Sequence, residues 1–195
     1  PFFGSGACEY RCAQNGLLVE GYDLDPLVVA YHTALAQDSE AVQAELAALE
    51  GHCLDRAEYH ALHARLRSDP QASASHAAQF AFMLHHSWNG QLGQYTRDSP
   101  FPRRRLTLPL PSVRVQHADS LTILESFRGP KHPGKFLYLD PPYPDVGEKR
   151  YYCGGSAAMH ARLHSILSEC ETPWVLSLSD TAANRAQYVG FQILT

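Results

Sequence analysis

The chain reads FLYLDPPY over residues 136–143, and this stretch does most to decide the predicted fold. Its first four residues have the length and apolar character of a buried strand. An aspartate and a double proline follow directly, and proline ends the pairing of a strand. Ligands of open α/β sheets bind beyond the carboxyl ends of the strands, which is where Asp140 and Tyr143 would lie. The alternative interpretation is a proline-stiffened turn with a solvated Asp140.

A glycine-rich turn, PFFGSGA, opens the sequence. Gly4 and Gly6 would let the backbone approach a ligand closely, and a predicted helix at 8–15 could direct free N–H groups towards it. The next predicted strand, LLVEGYD, ends in Asp23, where a carboxylate can accept hydrogen bonds from both hydroxyls of a ribose. Asp23 could instead cap the helix that follows, although Asp25 is the better candidate for that cap.

The remaining apolar pattern predicts an α/β fold interrupted by a helical insertion. Residues 38–111 combine helical spacing with little strand propensity and end in a proline-rich arm. We therefore predict one sheet-containing domain at 1–37 and 112–195, with the insertion at 38–111. Helical spacing is found at 26–37, 38–67, 75–86 and 159–170, and further strands are predicted at 113–116, 174–178 and 191–194.

Composition and charge narrow the class of protein. With 45% hydrophobic and 18% charged residues, the chain has the composition of a soluble globular protein without a membrane span. The five cysteines are odd in number and the eleven histidines form no set with a third ligand, so we predict free thiols in a reducing cytoplasm and no metal site. A net charge of -4 argues against nonspecific coating of nucleic acid, but it leaves room for a local basic groove.

These motifs together resemble those of the Dam-like, α-class DNA methyltransferases that act on adenine N6. PFFGSG at 1–6 is similar to the family's FxGxG cofactor motif, and DPPY at 140–143 is similar to its catalytic motif. YDLDPL at 22–27 resembles the second acidic motif, and WNG at 88–90 with Tyr95 resembles the asparagine-glycine-tyrosine segment. The resemblance spans nearly the whole chain. It implies a Rossmann-like methyltransferase sheet with a helical target-recognition insertion.

The resemblance also implies a site for S-adenosylmethionine. The glycine turn would cradle the methionine part of the cofactor, and the carboxylate at the end of the second motif would hold the ribose. Two residues that follow the strand at 113–116 would lie beside the adenine, although Asp119 could equally cap a helix that begins near Ser120. The implied cofactor-binding residues are Phe2, Gly4, Gly6, Asp23, Asp119 and Ser120.

The implied catalytic residues are Asp140, Pro141, Pro142 and Tyr143. Adenine N6 is a poor nucleophile, so the Asp140 carboxylate and the Pro141 carbonyl would accept hydrogen bonds from its amino hydrogens during in-line methyl transfer. The target base would be flipped out of the duplex and would stack on Tyr143. Aspartate at the first position favours adenine, since related enzymes acting on cytosine N4 usually carry serine and those acting on glutamine amides usually carry asparagine.

Double-stranded DNA is the partner that the resemblance implies, and the insertion would recognise it. Arginines would contact phosphates and Asn89 a base edge, although a solvated basic loop is the alternative. Gln94 and Thr96 replace the arginine and asparagine that are common in the family, so no target sequence can be carried over. The implied DNA-binding residues are Asn89, Gly90, Tyr95, Arg97, Arg103, Arg104 and Arg105.

We expect this chain to be a piece of a longer protein, because the family's first strand, its lysine-containing motif and its last hairpin have no counterpart here. The expected protein is a monomeric cytoplasmic enzyme, encoded by a prokaryote or a phage, of the kind found in restriction-modification systems. Two alternatives stay open. One is a methyltransferase-like DNA-binding module without activity, and the other is an N-methyltransferase acting on RNA or on protein amides.

Overall fold

The computed structural model describes residues 1–88, 92–96, 100–102, 112–143 and 156–194. The chain is a mixture of helices and short parallel strands and divides into two compact units. The larger unit is Phe3–His117, and the smaller unit combines Pro1–Phe2 with Ala118–Thr195. The division predicted from the sequence, a domain at 1–37 and 112–195 with an insertion at 38–111, concerns function and stays a prediction.

The larger unit contains a two-stranded parallel sheet and a layer of helices. Its elements are α1 (Ala7–Gln14), β1 (Val19–Asp23), α2 (Pro26–Gln37), α3 (Ser39–Ala48), α4 (Arg56–Ser68), α5 (Ala74–His85) and β2 (Val113–His117). Strand β1 pairs with β2 so that Val19 lies opposite Val113 and Asp23 lies opposite His117. Parallel strands require a long crossover connection, and this one contains α2 to α5.

Helices α2 to α5 pack around one apolar core. Val42 of α3, Tyr59 and Leu66 of α4, and Met83 of α5 are completely buried in it. The helical spacing over 38–67 is present as two helices. The chain turns between them through Gly51, which has φ 81°, and the capping box of Asp55 and Glu58 then starts α4.

The smaller unit contains a second two-stranded parallel sheet. Its elements are α6 (Ser120–Glu125), β3 (Leu137–Leu139), α7 (Ala157–Glu169), β4 (Trp174–Leu176) and α8 (Ala182–Gln187). Strands β3 and β4 pair from Leu137 opposite Trp174 to Leu139 opposite Leu176. Leu139, Leu163 and Ile166 are completely buried in its core.

Several strand predictions differ from the structure. The strand predicted at 136–139 begins at Leu137, with Phe136 61% exposed, and the strand predicted at 174–178 ends at Leu176. The strand predicted to start at Leu17 begins only at Val19, and Leu17 and Leu18 are 56% and 87% exposed. The strand predicted at 191–194 is absent, and Leu194 is 81% exposed. An apolar tetrapeptide becomes a strand only where a neighbour takes its backbone hydrogen bonds, and no strand in the described part of the chain pairs with this segment.

Two further observations concern membranes and metals. Among the helices that the structure describes, none has the length and apolar character needed to cross a bilayer. Within the same residues, no three side chains of histidine, cysteine, aspartate or glutamate come together as a set that could hold a metal ion.

Candidate functional site

The glycine turn of the larger unit lies against the end of β1. Gly4 and Gly6 have φ values of 52° and 70°, in the left-handed region that glycine adopts readily. The amide of Gly6 donates to the Phe3 carbonyl over 2.9 Å, and the amide of Gly4 donates to Oδ2 of Asp23 over 2.8 Å. The structure thus brings together two of the residues that the sequence assigned to the cofactor site.

The Asp23 carboxylate accepts two backbone hydrogen bonds. Besides Gly4, the amide of Asp25 donates to its Oδ1 over 2.8 Å. Burial raises the pKa of Asp23, and these two hydrogen bonds act against that shift. A carboxylate has about four acceptor positions, so about two remain for further donors such as ribose hydroxyls.

The two glycines of the turn have different surroundings. A Cβ on Gly6 would lie 2.5 Å from Cε1 of Phe3 and 3.0 Å from Cε2 of Tyr10, so Gly6 is required by packing as well as by its φ. A Cβ on Gly4 would meet no atom of the described residues within 4 Å. Of the two glycines expected to admit a ligand, only Gly4 therefore faces open space. The N-cap of α1 is Gly6, which has no side chain with which to cap the helix.

The remaining predicted cofactor residues lie in the smaller unit. The Ser120 hydroxyl accepts from the Phe2 amide over 3.0 Å, so these two predicted residues are in direct contact. Phe2 has φ 59°, which costs a residue other than glycine roughly 1–3 kcal/mol, and its ring packs on the core of this unit. Asp119 caps α6 by accepting from the Leu121 amide over 2.9 Å. The capping alternative is thus what the structure has, and a cofactor contact of Asp119 stays a prediction.

The DPPY motif follows β3 directly and is held at its backbone and at its last side chain. The Leu139 carbonyl accepts from the Ser177 amide over 2.8 Å, which extends the pairing with β4 by one bond. Nε2 of His160, a residue only 2% exposed in α7, donates to the Pro142 carbonyl over 2.8 Å. The Tyr143 hydroxyl lies 2.7 Å from the Ser177 hydroxyl.

The first residue of the motif is left accessible. Asp140 is exposed at the carboxyl end of β3, while the next residue, Pro141, is buried. No residue in the described ranges donates a hydrogen bond to the Asp140 carboxylate or forms an ion pair with it. A backbone that is hydrogen-bonded on either side of Asp140 therefore presents a carboxylate whose acceptor positions no described residue occupies.

Sequence analysis missed a buried histidine that contacts the glycine turn. Nε2 of His32, in α2, lies 2.9 Å from the Gly4 carbonyl, and its Nδ1 lies 2.8 Å from the Tyr10 hydroxyl. Burial lowers the pKa of His32 to about 4. Eleven histidines in the sequence carry no spacing that singles this one out, because its partners come from two other segments.

Of the predicted DNA-binding residues, the structure describes Tyr95. Its hydroxyl donates to the Leu54 carbonyl over 2.8 Å, and its ring centre lies 5.5 Å from that of Tyr59 in the helical core. Tyr95 thus supports the fold of the helical layer, and a DNA contact stays a prediction. The others, Asn89, Gly90, Arg97, Arg103, Arg104 and Arg105, lie outside the described residues.

Comparison with known proteins adds no relative: no protein-family model matches the chain, and no curated protein matches it. A functional assignment therefore depends on the sequence motifs and on the geometry of the residues that carry them.

Proposed function

We propose that this chain is a methyltransferase that uses S-adenosylmethionine to methylate adenine N6 in DNA, built on a Rossmann-like fold with a helical target-recognition insertion. The observation that carries the proposal is the DPPY motif at the carboxyl end of parallel strand β3. Asp140 is exposed there, directly after the buried Leu139, and no described residue forms a hydrogen bond or an ion pair with its carboxylate. Ligand sites of α/β sheets occur at such strand ends.

The glycine turn and Asp23 fit the cofactor in two respects. No described residue fills the space where a side chain on Gly4 would stand, and the Asp23 carboxylate keeps acceptor positions for two hydroxyl groups. S-adenosylmethionine, when bound, supplies the methyl group. Asp23 would hold the ribose, and the turn formed by Gly4 and Gly6 would receive the methionine part.

Asp140 and Pro141 would act on the adenine amino group. The N6 lone pair is delocalised into the ring, and it becomes nucleophilic only as the nitrogen rehybridises. Acceptors placed for the amino hydrogens favour that change, and they cost little reorganisation when they are fixed in advance. The bond from His160 to the Pro142 carbonyl and the bond from Ser177 to the Leu139 carbonyl fix the backbone on either side of them.

Tyr143 would provide a stacking face for the flipped base. Its hydroxyl is hydrogen-bonded to the Ser177 hydroxyl, so the orientation of the ring is set before a base arrives. Stacking of a base on an aromatic ring contributes roughly 1–3 kcal/mol. Double-stranded DNA would be bound with the help of the arginines at 97 and 103–105, and we propose a monomeric, cytoplasmic enzyme.

The test is Asp140→Ala, measured by transfer of a labelled methyl group to DNA. We expect transfer to fall about 10²–10³-fold, as when one preorganised hydrogen-bonding group is lost, with affinities for S-adenosylmethionine and DNA within a few-fold of wild type. Asp180→Ala is the matched control, because Asp180 is an exposed aspartate of the same unit that pairs with Arg185. It should transfer methyl groups at the wild-type rate.

Two other outcomes would redirect the assignment. If the wild type binds S-adenosylmethionine and DNA but methylates no DNA, and Asp140→Ala behaves identically, the chain is a binding module. If RNA or a glutamine-containing peptide is methylated and DNA is not, the reaction class stands and the substrate is wrong.

A further inference from the structure

The peptide unit of Gly4 is held from both sides. Its amide donates to Asp23 at the end of β1 over 2.8 Å, and its carbonyl lies 2.9 Å from Nε2 of His32. The second ring nitrogen of His32 lies 2.8 Å from the hydroxyl of Tyr10, a residue of α1. Elements α1, β1 and α2 thus converge on a single residue of the glycine turn.

The direction of these hydrogen bonds follows from the groups involved. A backbone carbonyl can only accept, so Nε2 of His32 carries the hydrogen that points at Gly4. Burial favours the neutral ring, in which Nδ1 is then an acceptor, and the Tyr10 hydroxyl donates to it. Burial also raises the pKa of Tyr10, so this hydroxyl keeps its proton. The result is a continuous chain of donation from Tyr10 through His32 to Gly4.

The same side chains also pack against the second glycine. The ring of His32 meets the ring of Phe3 edge to face at 4.7 Å, and Phe3 meets Tyr10 at 6.0 Å. A Cβ on Gly6 would come too close to the rings of Phe3 and Tyr10, so these rings can pack there only because Gly6 has no side chain. Both left-handed glycines are therefore set by one cluster, one through a hydrogen bond and the other through packing.

We propose that His32 and Tyr10 are positioning residues that hold the glycine turn in the conformation that receives S-adenosylmethionine. This inference rests on the proposed function. A turn with several left-handed residues has a large conformational entropy when it is free, and ordering it during binding would weaken affinity. Because the cluster orders Gly4 and Gly6 during folding, the cofactor meets a turn that is already formed.

The experiment compares His32→Phe, which keeps an aromatic ring but no hydrogen bond, with His32→Gln, which keeps an N–H donor. Loss of one hydrogen bond corresponds to a change of up to about tenfold. For His32→Phe we expect S-adenosylmethionine to bind about tenfold more weakly in calorimetry. Amide hydrogen exchange at Gly4 and Gly6 should be about tenfold faster in the ligand-free protein. In His32→Gln, cofactor affinity and amide exchange should both lie within about threefold of wild type. In Tyr10→Phe, both quantities should lie between those of His32→Phe and His32→Gln.

His86→Phe is the matched control. His86 is completely buried in the same unit, and its Nδ1 also donates to a backbone carbonyl, that of Phe82, over 2.9 Å. This variant should melt at a lower temperature than wild type, as His32→Phe should, yet leave cofactor affinity and exchange at Gly4 unchanged. A purely structural role of His32 predicts that the two phenylalanine variants behave alike.

Three outcomes would overturn the inference. Unchanged affinity and exchange in His32→Phe, with a wild type that binds the cofactor, would remove His32 from the positioning role and leave the proposed function standing. Equal losses in His86→Phe would reduce the effect to general destabilisation. A wild type that does not bind S-adenosylmethionine, with faster exchange in His32→Phe, would overturn the proposed function and with it the cofactor role of this cluster.

Discussion

His32 makes the stability of the larger unit depend on pH. Burial lowers its pKa from 6.5 to about 4 on folding. Between these values the unfolded chain binds a proton at His32 and the folded chain does not, so the free energy of unfolding falls as the pH falls from 6.5 towards 4. We expect this residue alone to remove about 2–3 kcal/mol between pH 7.5 and 4.5.

Urea denaturation of wild type and His32→Gln at these two pH values measures the effect. Other groups titrate in the same range. The pKa of His63 is lowered mainly by burial and acts in the same direction, whereas the pKa of Asp23 is raised by burial and acts in the opposite one. Both remain in the variant, so the difference between the two proteins isolates His32. Equal pH dependence in the two proteins would contradict the prediction.

Single residues differ in how far the sequence alone can predict their roles. Asp25 was predicted to cap the helix at Pro26 because the signal is local, and its carboxylate indeed accepts from the Leu27 amide over 2.9 Å. The role of His32 depends on Tyr10 and Gly4, which lie 22 and 28 positions away. Contacts of that range form only when separate elements pack, so no pattern within one segment reveals them.

At the scale of elements, the packing of the glycine turn on β1 depends on Gly21. A Cβ at this position would lie 2.0 Å from Cδ2 of the Phe3 ring, which is 3% exposed. We predict that Gly21→Ala destabilises the fold by about 1–3 kcal/mol, the usual cost of overpacking, in chemical denaturation. Adding Phe3→Leu should recover part of that loss. If the double variant loses more unfolding free energy than the two single variants lose together, the clash is not with the Phe3 ring.

A bidentate ion pair joins the start of α2 to α4. Arg67 donates to both oxygens of Asp25, at 2.5 and 2.9 Å, with side chains 20% and 10% exposed. Removing the cation leaves a nearly buried carboxylate, so Arg67→Met should cost roughly 3 kcal/mol of unfolding free energy. Asp25→Asn keeps an oxygen for the helix cap but removes the charge, and in the double variant it should offset part of that cost. If the losses of unfolding free energy in the two single variants simply add in the double variant, Arg67 and Asp25 are not coupled.

Helices were predicted more completely than strands, for a physical reason. A helix such as α2 satisfies its own backbone, so its cap and apolar spacing suffice to locate it. A strand needs a partner from elsewhere in the chain, which explains why the apolar segment at 191–194 was predicted as a strand and is not one. The strand end at Asp23 was predicted correctly, because the run of strand-forming residues stops there at a carboxylate.

At the scale of the whole molecule, the sequence predicted pairs of residues that are in contact within each unit. Gly4 and Asp23 were assigned together and are in contact, and Phe2 and Ser120 likewise. The sequence did not indicate that His160 holds the DPPY backbone from α7, since the two lie in separate elements. Motifs thus predict which groups would meet a ligand, whereas the residues that hold those groups in place emerge only from the fold.

Net charge gives the last prediction. A chain with a net charge of -4 repels DNA on average, so binding requires a local group of cations such as the arginines at 103–105. If Arg104 contacts a phosphate, Arg104→Gln should weaken binding to all DNA sequences alike and reduce the slope of log affinity against log salt by about one. Binding isotherms over a range of salt concentrations measure that slope. Arg11→Gln makes the same change in net charge at an exposed position on α1 and should leave the slope unaltered. Equal changes in both variants would mean that total charge, and not a phosphate contact, governs binding, whereas an effect restricted to one base position would assign Arg104 to base recognition.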